Sequence, residues 1–164
     1  MHGKLSSEKK NHLAKYIKMT EQKNELYQEI EAWSQNAILH SPTWSINQLD
    51  YSEKSITVVE MIIGEMADKS FGLPEEQLNM ISQEYGCYLL LTAHKLYGGQ
   101  FYWNQELEQP MLICCEPDST IALLTWNKVK GRLLGDKTDH IAYFLDEFGK
   151  AVFQPEKGTN LVYL

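Results

Sequence analysis

Long apolar runs are missing from this sequence. The longest uninterrupted ones, such as residues 111–115 and 121–124, fall far short of the roughly 20 residues that cross a bilayer. A membrane-spanning helix is therefore excluded. Residues 1–10 are polar and lack the apolar centre of a secretory signal, so export is not expected. Cysteine is scarce: Cys87, Cys114 and Cys115 are odd in number and two are adjacent, which argues against a disulfide framework and favours a reducing, cytoplasmic compartment. Glycine clusters are equally few. Gly98-Gly99 follows a helical pattern instead of opening one and lacks the lysine and hydroxyl of a phosphate-cradling loop. No internal repeat or low-complexity segment is visible.

What is present reads as one folded domain spanning residues 1–164. The chain is 43% apolar, with four Trp and nine Tyr, and a domain of this length buries about 70% of its unfolded surface. The net charge of −7 is unevenly placed. Residues 1–40 and 126–164 each balance to +1, whereas residues 41–125 hold three Lys against twelve Asp/Glu, a balance of −9. That middle would repel nucleic-acid phosphates and attract a basic protein, or serve only as a solubilising surface.

The first forty residues are helical by spacing, with Leu13, Tyr16, Ile17, Leu26, Tyr27, Ile30, Trp33 and Ala37 three or four apart, a Ser6 or Ser7 cap, and a polar interval over 20–25 that divides them in two. A loop over 41–49 precedes a helix capped by Asp50 or Ser52, with Ile56, Val59, Ile62, Ile63 and Met66 on one stripe. A third helix is predicted over 74–97, opened by Pro74 and stopped by Gly98-Gly99. Aromatic and β-branched runs then predict three antiparallel strands over 100–104, 111–115 and 120–125. Short helices over 127–134 and 139–148 and a terminal hairpin within 151–164 complete the reading. Helices first and strands later give an α+β fold: N-terminal helices packed on a small antiparallel sheet, with short C-terminal helices.

Candidate chemistry is sparse, and no catalytic, cofactor-binding or metal site is expected. Cys87 and His94 share a helix face, but nothing supplies a third, orienting group, so a buried thiol and a surface histidine are the simpler reading. Asp136, Asp139 and His140 read as capping residues, with Asp139 opening the last helix. Glu60 and Glu65 are expected to point outward. Lys128, Lys130 and Arg132 are too few for a nucleic-acid site on an acidic domain. The remaining candidates suit a protein surface: Glu106, Glu108, Glu116 and Asp118 in the turns between strands, and the aromatics Trp44 and Trp103. Trp103 and Trp126 sit at strand ends, as core closure or as a binding platform.

Several segments together resemble a known pattern. Residues 49–52 and 55–60, then Tyr85-Gly86-Cys87-Tyr88-Leu89, Tyr97-Gly98-Gly99 with Trp103, and Trp126-Asn127-Lys128-Val129 with Arg132-Leu133, are similar to an uncharacterised family of small bacterial domains. Its pattern joins a Gly-x-Tyr-Leu helix, a Gly-Gly pair, a tryptophan strand and a Pro-x-x-Lys-Val segment, and the likeness covers about residues 49–148. The chain departs where Asn127 replaces the proline and where Leu90-Leu91 replaces Gly-Glu, so a role of that glutamate does not transfer. The chain is also similar to bacterial immunity proteins. That resemblance implies a non-catalytic protein that neutralises a toxin domain by binding it; the alternatives are an accessory or regulatory cytoplasmic role and, less favoured, an enzyme, while the acidic balance and the short apolar runs point to a basic protein partner and to neither nucleic acid nor membrane.

Overall fold

The computed structural model describes residues 6–69 and 71–164. Helix α1 runs unbroken over Ser7–His40, its start capped by the Ser6 hydroxyl, which accepts from the Lys9 amide. The division expected over residues 20–25 does not occur, because that interval holds no Gly or Pro and is rich in Glu, Gln and Lys, which are good helix formers. Only the second half of α1 is packed. Ile30, Ser34 and Ala37 are buried at helical spacing, whereas residues 6–25 are exposed throughout.

After a short 3₁₀ turn at Ile46–Gln48, helix α2 covers Glu53–Ala67, with Ser52 as its cap. Helix α3, Glu75–Tyr97, is the centre of the molecule: every residue from Glu84 to Ala93 is buried, so other elements surround it on all sides. Helix α1 lies antiparallel to it, since His40 meets Glu84 at one end while Tyr27 meets His94 further along. No helix among the described residues is long and apolar enough to cross a membrane.

Gly98 and Gly99, with φ of +75° and +92°, turn the chain from α3 into the sheet. Strands β1 (Gln100–Asn104), β2 (Gln109–Cys114) and β3 (Thr120–Leu123) form an antiparallel meander, as the sequence predicts. Helix α4 (Trp126–Leu133) then crosses α3 at Gly86, where the Thr125 hydroxyl donates to the Gly86 carbonyl at 2.7 Å. A methyl group at Gly86 would overlap the Trp126 ring. Helix α5 (Ile141–Phe153) turns its buried face, Ile141, Phe144, Leu145 and Phe148, to the core.

The terminal hairpin expected within residues 151–164 is corrected. Residues 151–153 extend α5, and only β4 (Asn160–Tyr163) is a strand, lying parallel to β3 from Thr120↔Asn160 to Leu123↔Tyr163. The sheet, in the order β1-β2-β3-β4, is therefore mixed and not purely antiparallel. A parallel neighbour needs a crossover connection, and α4 with α5 supplies it.

Candidate binding groove

Three of the four tryptophans converge where α1 passes β1. Trp33 of α1, Trp103 of β1 and Trp126 of α4 line a recess of about 120 Å³, with Glu29 and Cys87 also in its wall. The Trp103 and Trp126 rings meet edge to face, their centroids 6.3 Å apart. Leu26, Glu29 and Trp103 are shared with an adjoining groove of about 470 Å³. Its walls are α1, from Met19 to Glu29, and β1, through Phe101, Tyr102 and Trp103. Successive side chains of a strand point to opposite faces, so a groove that touches three in a row runs along the strand's edge and not over one face. β1 is an outer strand, paired on one side only, with β2.

The groove mixes aromatic walls with charge. Glu25 and Glu29 contribute carboxylates from α1, and the Lys23 ammonium stands 5.4 Å from the centroid of the Tyr102 ring. The turn that joins β1 to β2 contributes Gln105 to the lining and carries Glu106 and Glu108, both exposed.

The structure divides the residues that the sequence singled out for partner binding. Trp103 lines the groove and is 42% exposed, with Glu106 and Glu108 on the turn next to it. Glu116 and Asp118 follow β2 at its opposite end, a strand length of roughly 17 Å from the Glu106 turn, although Glu116 still reaches the groove through Tyr102. Glu116 is also engaged within the chain: it accepts from the Tyr102 hydroxyl at 2.8 Å, and this bond, more than burial, raises the Tyr102 phenol above its ordinary pKa. Trp44 is exposed on the loop before α2 and does not line the groove. Sequence reasoning missed Glu25, Glu29 and Trp33 as groove residues, although Leu26, Glu29 and Trp33, spaced three and four apart, announce a shared helix face.

Other charged groups fasten elements together. Glu60, expected to point outward, is turned inward: Oε1 accepts from Arg132 Nε at 2.8 Å and Oε2 from the Ile141 amide at 2.7 Å, which ties α2 to α4 and to the start of α5. Asp139 does not cap α5. His140 does, its Nδ1 accepting from the Tyr143 amide, while Asp139 accepts from Lys128 at 2.8 Å, and Lys128 in turn lies over the Phe144 ring. Glu84, only 3% exposed, receives His40 Nδ1 at 3.0 Å. His94 is half-buried against Tyr27 and Phe101 instead of lying on the surface, and its Nδ1 is buried without a hydrogen-bond partner.

Burial decides the character of the thiols. It pushes Cys87 up to about 12, with the Glu29 carboxylate adding to the rise and the Trp126 N–H opposing it. That indole nitrogen is buried without a hydrogen-bond acceptor, so its approach to the sulfur is an electrostatic contact only. Burial likewise pushes Cys114 up to about 12. Thiols of this kind are poor nucleophiles at neutral pH. Among the described residues, no three His, Cys, Asp or Glu side chains are placed to hold a metal ion. No family model matches the chain, and no curated protein or solved structure matches it either.

Proposed function

We propose that this chain is a non-catalytic protein-binding domain that engages a basic partner at the α1–β1 groove, in the manner of an immunity protein that occludes a toxin domain. The observation that carries this reading is the convergence of Trp33, Trp103 and Trp126 beside the carboxylates of Glu25 and Glu29. Tryptophan is enriched among the residues that anchor protein interfaces, and flanking acid favours a basic counterpart. The acidic turn at Glu106 and Glu108 extends the same sign of charge beyond the groove.

The reading is tested by co-expression. A basic toxin domain encoded beside this gene should arrest growth alone, be harmless with the wild-type chain, and arrest growth again with Trp103→Ala. If the neighbouring product is neither bound nor neutralised, the immunity reading is lost. If Trp103→Ala protects as well as wild type, the groove is not the binding surface.

A further inference from the structure

The geometry points to strand addition: the α1–β1 groove takes an extended, basic segment of a partner protein as a fifth strand beside β1. This deepens the protein-binding reading and rests on it. The groove follows the edge of β1, because Phe101, Tyr102 and Trp103 all line it although their side chains alternate between faces. An outer strand presents the backbone N–H and C=O groups of alternate residues away from its neighbour, ready to pair with another chain.

A strand ordinarily protects its own exposed edge with a charged residue, a proline or a bulge. β1 reads Gln-Phe-Tyr-Trp-Asn and has none of these, and its pairing with β2 is continuous over five residues, from Gln100↔Ile113 to Asn104↔Gln109. The opposite wall is a helix, so an incoming strand would lie between a ladder on one side and the α1 side chains on the other, a recurrent mode of peptide recognition. Charge selects the occupant. Glu25 and Glu29 face the groove, Glu106 and Glu108 stand at its end, and Lys23, already over the Tyr102 ring, shows that these aromatic walls accept a cation. An extended segment that alternates basic and apolar residues would place its cations against α1 and its apolar side chains on Trp103.

The test uses the full chain, isotopically labelled, with the peptide acetyl-Arg-Val-Arg-Val-Arg-Val-amide as probe. Binding should move the amide resonances of residues 100–104 and slow the exchange of alternate amides there. An analogue N-methylated at alternate amides keeps every side chain but cannot complete the ladder, and it should bind about tenfold more weakly or worse. Glu25→Gln with Glu29→Gln should weaken the unmodified peptide several-fold, and an acetyl-(Glu-Val)₃-amide control should not bind. Equal binding of the methylated analogue would overturn strand addition, as would resonance changes confined to elements other than β1. Slowed exchange of β1 amides without peptide, together with a dimer by light scattering, would overturn it in favour of a second copy. Should the co-expression test depend on Trp103 while the β1 amides ignore the peptide, this inference fails and the protein-binding reading stands.

Discussion

Glu60 shows how much can hang on one side chain. Its two oxygens satisfy Arg132 and the Ile141 amide, so Glu60→Ala would take these partners from a partly buried guanidinium and a backbone donor. The expected loss is about 3 kcal/mol in urea unfolding, and adding Arg132→Met should recover part of it, because the stranded charge is then gone. A second prediction concerns alkaline pH. Cys87 and Cys114 rise from an ordinary value of 9.0 to about 12, and Tyr85 rises from 10.0 to about 12, mainly through burial. Below pH 9 these groups are protonated in both folded and unfolded chains, and their contribution to stability is complete. As pH climbs towards 12 the unfolded chain releases these protons, the thiols from about 9 and the phenol from about 10, and the folded chain retains them. Stability should therefore fall across that window by on the order of 1 kcal/mol per pH unit for each group. Unfolding free energies measured at pH 8, 9, 10 and 11 check this; a flat profile would show that the thiols and the phenol are solvated. In the folded protein at pH 8, Cys87 should react with thiol reagents far more slowly than in urea.

At the scale of elements, α1 is two different environments on one continuous helix. Leu13 is half exposed and Ile30 is buried, so Leu13→Ala should change the unfolding free energy by no more than about 0.5 kcal/mol, whereas Ile30→Ala should cost about 2–4 kcal/mol. Amide exchange should divide at the same place, fast before residue 25 and slow beyond it; uniform protection would contradict the division. The elements that the sequence revealed are those specified locally. The periodic stripe of α2, the Ser52 cap, the Gly98-Gly99 stop and the aromatic run of β1 each depend on neighbours within a few residues. What stayed hidden depends on distant partners. Glu84 is buried with His40, 44 positions earlier, as its hydrogen-bond partner, and no spacing rule announces that pair. β4 reads as a strand on composition, but its choice of β3 follows from how α4 and α5 lay the chain back over the sheet. The groove was half legible: Trp103 was visible as a candidate, whereas Trp33 was absorbed into an apolar helix stripe that already accounted for it.

For the whole molecule, charge acts at a distance, and the structure changes what that implies. The two acidic turns are separated by the length of β2, roughly 17 Å, about twice the Debye length of 8 Å at physiological salt. They should steer a basic partner independently. Glu106→Lys and Glu108→Lys, beside the groove, should slow association several-fold and flatten its salt dependence, and Asp118→Lys at the far end should do so weakly; Trp103→Ala should act on dissociation instead. Surface plasmon resonance at two ionic strengths separates these effects, and equal consequences of Glu106→Lys and Asp118→Lys would mean that the partner does not approach the groove. The parallel strand carries a consequence of another kind. β3 borders β4 on one side, and β4 is reached only after both α4 and α5. Until residues 160–163 are free to pair, β3 has its inner neighbour and not its outer one. During that interval β3 is itself an open margin of the sheet, and once β4 has paired, β4 takes its place as the margin opposite β1. A chaperone that recognises unpaired strands would find the buried, apolar β3 a better target before β4 pairs than the exposed β4 that replaces it as margin.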